Sequence, residues 1–338
     1  MDIQDAIHDF IMVHEIDNGS KYTIRDYRKV AGRFAAWLKA EHGITDTDDI
    51  ALAHLRGWVS FLQKSPLKSD GSLLDDSTVY NYSLVTQVFC HWLEDEGVID
   101  PPITTRFKLP RLTEKFVPTF THDDVEKLLE ACEEGDRDKP RLWKALTARN
   151  RAIVSVLIDT GIRRQELVGL RLCDIDRRMM VLTVRRKGGK WQQVPISREG
   201  FKALHGYLKK HRSFLAASNG ETVARKEDRV FLADDGKPLT ISGVSKLFGR
   251  LQKRTGIEGK RVSPHNCRRY MATMQLAMGR SEIDVMRQMG HTALNMTKRY
   301  ASLTIDHLRR SHEKYSPLRA KRMLEEFRES GGEYWDEE

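Results

Sequence analysis

The apolar positions of the first hundred residues recur at helical spacing. After Gly19-Ser20, a ready N-cap, Ile24, Tyr27, Ala31, Phe34 and Leu38 follow at intervals of three and four. That is the buried stripe of one amphipathic helix. A second helix is expected from the acidic cluster at residues 46–49 through Leu55, Val59 and Leu62. A polar loop over 64–72 leads to a third, capped by Ser77, with Tyr82, Val85, Phe89 and Leu93 turned inward. Gly97 closes it and Pro101-Pro102 forbids continuation. Residues 1–104 thus read as a small helical bundle and a first domain.

The pattern then stops. Residues 105–118 carry four basic residues and two prolines without periodicity, an extended basic linker. A second domain opens at 119 with Thr121 and Asp124 as a capping box ahead of Val125, Leu128 and Leu129. A long helix over 150–159 ends at Gly161, and a short one follows over 164–170. Two β-rich runs, 179–184 and 192–196, flank Lys187-Gly188-Gly189-Lys190, which marks a hairpin. Further helices are expected at 198–217, 240–254, 266–278 and 281–289. The predicted fold class is mainly α with a small antiparallel β-sheet in the second domain.

Composition narrows the class. The chain has 338 residues, 40% hydrophobic and 31% charged, the make-up of a globular protein of two domains. It contains no apolar run of membrane-spanning length and does not start with a basic segment followed by an apolar one. A cytoplasmic location is therefore expected. Cys90, Cys132, Cys173 and Cys267 are scattered with no C-x-x-C pair, so they read as buried reduced thiols. The net charge of +9 is unevenly placed. Residues 1–105 hold 9 basic and 17 acidic residues, a net of −8, and the remainder 48 and 31, a net of +17. So positive a field favours a polyanion, nucleic acid above all.

Candidate chemistry concentrates in the second domain. His265 and Arg268 stand three apart in SPHNCRRYMAT; His291 lies 26 residues beyond His265 in MGHTALNMTKRY, and Tyr300 nine beyond His291. Upstream are TGIRRQEL, with Arg163 and Glu166, and the KGGK turn, whose Lys187 follows Arg163 by 24 residues. A phosphodiester resists attack because its oxygens are negative. Two guanidiniums, Arg163 and Arg268, can fork onto those oxygens and stabilise the charge of the pentacovalent transition state. Tyr300 can attack phosphorus, and displacement of the phenol later conserves the bond energy without ATP. His265 is the candidate proton acceptor or orienting partner of the tyrosine, His291 a donor to the phosphate, and Lys187 the acid for the departing 5′ oxygen. Glu166 can hold His265 or the backbone around it.

Taken singly, each residue has an ordinary reading. Arg163 suits a surface ion pair, Lys187 a hairpin tip, His265 and Arg268 a helix start, and His291 the residue after a helix C-cap. Tyr270 and Tyr315 compete with Tyr300, Lys190 with Lys187, and Arg269 with Arg268. Candidate DNA contacts are Lys21, Arg25 and Arg28 on the first helix, Lys108, Arg111 and Lys115 in the linker, and Lys190 and Arg269. No H-E-x-x-H ligand motif and no G-x-x-x-x-G-K-[ST] loop occurs, so neither metal nor cofactor is implied.

In their order and spacing these boxes resemble the active site of the tyrosine recombinases of the phage-integrase family, over residues 118–316. The resemblance implies a core-binding domain at 1–104, a catalytic domain at 119–318 and a tail at 319–338 that docks on a neighbouring subunit or on its own. It implies a two-domain clamp around double-stranded DNA bearing inverted-repeat sites, and a homo-tetramer on paired sites. The activity implied is site-specific recombination through a 3′-phosphotyrosyl intermediate. The alternatives are relaxation of supercoils, as by a type IB topoisomerase, and a non-catalytic architectural DNA-binding role. Two features depart from the family's usual pattern: Cys267 and Arg269 in the H-x-x-R box, and Tyr80 and Asn81 where relatives often carry basic residues.

Overall fold

A computed structural model describes residues 1–290 apart from 18, 113–117, 134–137, 187 and 219–227. The chain divides into two compact units, one ending at residue 116 and the other beginning at 117.

The first unit is built from α1 (Ile3–Ile16), α2 (Lys21–His42), α3 (Leu52–Lys64) and α4 (Asp76–Asp95). Ser20 caps α2 through Thr23 N–H, and Gly43 ends it in the left-handed conformation. The second predicted helix starts later than its acidic cluster suggests. Residues Thr47–Asp49 form a separate 3₁₀ turn, and the extended backbone at Ile50 and Ala51 breaks it from α3. Ser77 is not the cap of α4: the helix already begins at Asp76, with Asp75 preceding it. Phe10, Phe34, Leu38, Leu55, Trp58, Leu62, Phe89 and Leu93 fill the core. After α4 the chain folds back because the Glu94 carboxylate accepts Ile103 N–H at 2.6 Å and Thr104 N–H at 2.7 Å. This return buries Phe107, which the sequence pattern assigns to the linker, in the core of the first unit.

The second unit contains α5 (His122–Glu130), α6 (Pro140–Thr160), α7 (Arg164–Gly169), α8 (Arg198–Lys210), α9 (Arg212–Ala217), α10 (Ile241–Thr255), α11 (Pro264–Ala277) and α12 (Glu282–Met289). The predicted capping box at Thr121 and Asp124 opens α5. Helix α6 begins ten residues earlier than its periodicity suggests, with Pro140 in its first turn. His211 interrupts the helix predicted over 198–217, dividing it into α8 and α9. Three antiparallel strands lie in the order β1 (Ile175–Asp176), β2 (Val181–Arg185), β3 (Trp191–Pro195). Val181 pairs with Pro195 and Arg185 with Trp191, which sets the hairpin register. Met180, expected inside a strand, has φ +56° and belongs to the turn before β2.

The core of this unit gathers Ile153, Val154, Leu157, Leu182, Val184, Leu204, Tyr207, Phe231 and Phe248. Helix α6 runs through its centre and packs against α8 and α11. Three of the cysteines are buried as expected; Cys173 is exposed, because it sits in the 3₁₀ turn Leu172–Asp174 at the surface. Among the described residues, no helix is long and apolar enough to cross a membrane.

Candidate active site

The site forms where α6 stops. Gly161 caps that helix at φ +65°, a conformation that glycine adopts without a Cβ clash, and turns the chain toward Arg163. Arg163 is the N-cap of α7. Its backbone N–H donates to Glu166 Oε2 at 2.8 Å and its Nη1 to Glu166 Oε1 at 3.0 Å. Sequence spacing alone, R-x-x-E at a helix start, already allows this closed loop. The partner expected for Glu166 is different, however. Instead of His265, its second guanidinium is Arg186, whose Nη1 lies 2.5 Å from Oε2.

Arg268 comes from α11, which begins at Pro264 rather than 266 with Ser263 as its N-cap. It is 3% exposed. Its Nη1 donates to the carbonyl of Gly161 at 2.5 Å, two residues before Arg163, and its Nη2 to the carbonyl of Met289 at 2.6 Å. The two arginines that the motifs pick out are therefore joined through one turn of backbone. His265, one turn earlier on α11, is exposed on its outer side. Partial burial, followed by the charges of Arg269, Arg268 and Arg163, holds its imidazole below the usual histidine range. At neutral pH the ring is uncharged and able to accept a proton.

Glu166 is 6% exposed. Burial alone would raise its carboxyl; the bonds from Arg186 and Arg163 outweigh burial and keep it below the ordinary carboxylate range. A fixed anion thus sits between two guanidiniums and stays charged.

Arg186 is the residue the motif reading passed over. The signal was present in the alternation Leu182, Val184, Arg186, which continues the buried face of β2 one residue past its end and puts a charge there. Beyond it, the hairpin turn is closed by Arg186 N–H to Lys190 O at 2.7 Å and by Gly189 N–H to Arg186 O at 3.1 Å. Lys190 is exposed at this turn. Lys187, His291, Tyr300 and Tyr315 lie outside the described residues, as does the tail at 319–338. Tyr270 is occupied elsewhere, with its hydroxyl 2.8 Å from His122 Nδ1.

In the first unit, Lys21, Arg25 and Arg28 are exposed on α2. Arg25 lies over the ring of Tyr22 and Arg28 pairs with Glu15 at 3.3 Å. The same helix adds Lys29 and Arg33, both over the Tyr82 ring, which the sequence reading did not single out. Lys108 and Arg111 are exposed just past Phe107, and Lys115 is outside the described residues.

Residues 118–307 match the model of the phage integrase family. Tyrosine recombinase XerC of Oceanobacillus iheyensis is 30% identical over 302 residues, covering 89% of this chain and 92% of the relative. Tyrosine recombinase XerD of Listeria monocytogenes is 26% identical, covering 93% and 99%. In fold the chain is similar to the Tn1549 transposon integrase in complex with a circular intermediate DNA, at TM-score 0.67 and 19% identity over 93% of this chain and 99% of that one. It is likewise similar to the XerH site-specific recombinase bound to a palindromic difH substrate, at TM-score 0.65 and 19% identity over 89% and 81%. With a family match over more than half its length and these relatives along nearly all of it, the chain belongs to the phage integrase family, the tyrosine recombinases.

Proposed function

We propose that this protein is a site-specific recombinase that cuts and rejoins double-stranded DNA through a covalent 3′-phosphotyrosyl intermediate. The observation that carries this reading is the convergence of Arg163 and Arg268 on the Gly161 turn, with His265 kept neutral beside them. Two guanidiniums held by a carboxylate and by two carbonyls meet a phosphodiester already in position, so little reorganisation is needed as negative charge builds. The Tyr300 oxygen attacks phosphorus, its proton passes to His265, and the 5′ oxygen leaves with a proton from Lys187. His291 donates to a non-bridging oxygen. Attack of a 5′ hydroxyl on the phosphotyrosine reverses the sequence on a new strand.

We assign DNA contact to the exposed cations of α2, to Lys108 and Arg111, and to Lys115, Lys190 and Arg269. The partner is a duplex with inverted-repeat sites, and four copies act on two paired sites.

A pool of nicked duplexes with inverted-repeat arms of randomised sequence tests the reading. The nick lets the short cleaved strand diffuse away and traps any covalent adduct. The wild-type chain should give an SDS-resistant adduct, and peptide mapping should place the DNA on Tyr300. Tyr300→Phe should bind the recovered duplex and give none. Adduct at wild-type yield from that variant rules the assignment out.

A further inference from the structure

One buried cation has no part in the chemistry above. Arg186 is 8% exposed, at the end of β2 where the hairpin turn starts. Its three nitrogens go to three segments. Nε donates to Gln192 Oε1 at 2.9 Å across the hairpin, Nη1 to Glu166 Oε2 at 2.5 Å on α7, and Nη2 to the Gln288 carbonyl at 2.6 Å on α12.

The surroundings make this contact set specific. Glu166 is shared between Arg186, which is enclosed, and Arg163, whose side chain is 37% exposed and faces outward. The position of the carboxylate therefore sets where the Arg163 guanidinium points. At the other end, the last carbonyls of α12 each accept from a side chain that comes from elsewhere. Gln192 Nε2 donates to Arg287 O, Arg186 to Gln288 O and Arg268 to Met289 O, all at 2.6 Å. Arg287 O also accepts the Gly290 N–H at 3.0 Å, whereas Gln288 O and Met289 O are acceptors of the kind a helix leaves unpaired at its C-terminus. Gly290 follows at φ +63°, where a Cβ would lie 2.9 Å from Arg186 Nε. A lysine could not reproduce the arrangement, since a single ammonium on a flexible stem lacks the planar fork that reaches three acceptors at once.

We propose that Arg186 is a positioning residue for strand cleavage: through Glu166 it holds the Arg163 guanidinium at the phosphate, and through Gln288 it ties the hairpin bearing Lys187 to the end of α12. This rests on the reading of Arg163 and Lys187 as catalytic. All three partners of Arg186 belong to segments of the site, and none to the apolar centre of the unit, which separates this role from general support of the fold.

The test is single-turnover adduct formation on the nicked duplex recovered with the wild-type chain. Each variant's DNA dissociation constant and melting curve are measured beside it, with all rates taken well below the lowest transition. Arg186→Gln should bind DNA as the wild type does and form adduct about 10–100-fold more slowly, the usual loss when a supporting partner is removed. Arg186→Lys should fold, bind DNA normally and recover part of that rate. The double variant Glu166→Gln/Arg186→Gln should be no slower than the slower single, because both act on Arg163 through one carboxylate. Arg186→Gln at the wild-type rate overturns the proposal, or Arg186→Lys at that rate if the glutamine variant does not fold. So do losses that multiply in the double variant, or a rate loss matched by loss of DNA binding. No adduct from the wild type itself would remove the proposed function and this inference together; a competent wild type with an indifferent Arg186 variant removes the inference alone.

Discussion

Arg268 Nη2 donates to the carbonyl oxygen of Met289 at 2.6 Å, linking α11 to the end of α12 immediately before the segment that carries His291 and Tyr300. The same guanidinium holds the Gly161 carbonyl ahead of Arg163. One side chain therefore sets the spacing of three motif segments.

Arg268→Lys should be damaging in two measurable ways. One ammonium cannot span both carbonyls, so stability should fall by about 1.5–3 kcal/mol, the range for a hydrogen bond to a charged group. Loss of the fixed guanidinium should slow adduct formation by about 10²–10³-fold, as for removal of one donor to a transition-state oxyanion. Denaturant titration and single-turnover cleavage read the two effects separately. Wild-type values for both would show that neither carbonyl depends on this residue.

Glu166 predicts an acid dependence of stability. Its folded carboxyl lies below the ordinary range despite burial, so near the ordinary carboxylate pKa the unfolded chain binds the proton more readily. The stabilisation is complete above the unfolded pKa and is lost as pH falls through the folded one. Glu166→Gln removes the term, and its melting temperature should change less than the wild type's between pH 6 and pH 3. Parallel curves would contradict the assignment.

His265 predicts the acid limb of catalysis. Burial and the nearby arginines lower its pKa, so the imidazole remains neutral below the usual histidine midpoint. The adduct-formation rate should hold steady as pH falls past about 6.5, the unperturbed value, and decline only at lower pH. Stability moves in the same direction: the unfolded chain takes up the proton first, so this residue's contribution falls as pH drops from the unfolded to the folded pKa. An acid limb centred at or above the unperturbed value would exclude His265 as the base.

Gly290 and Gly256 make a matched pair. Both end helices in the left-handed region, at φ +63° and φ +60°, but only Gly290 has neighbours where a Cβ would go. Alanine at either should cost about 1–2 kcal/mol from backbone strain. Gly290→Ala alone should also slow adduct formation, because the new methyl displaces Arg186 and Gln192. Equal catalytic loss in both variants would mean that strain, rather than displacement of Arg186, is responsible.

The helices and the hairpin were legible because each is written in local periodicity. The stripe from Ile24 to Leu38, the capping box at Thr121 and Asp124, and the KGGK turn all act within a few residues. Element boundaries were less so. Pro140 and Pro264 start their helices earlier than the apolar pattern does, because a helix's first turn can be polar when its packing lies further on. Phe107 was misplaced because the Glu94 carboxylate, nine residues before Ile103, folds the chain back into the core.

What local spacing settles here is chemistry and order: arginine with glutamate three apart, histidine with arginine three apart, and a family membership carried by their succession. Which guanidinium meets which carboxylate was decided only by folding. Arg186 and Glu166 are 20 residues apart and Arg186 and Gln288 102 apart. No period along the chain encodes such pairs. They arise because a buried charge must find a partner, and only the packed arrangement of α7, the hairpin and α12 supplies one.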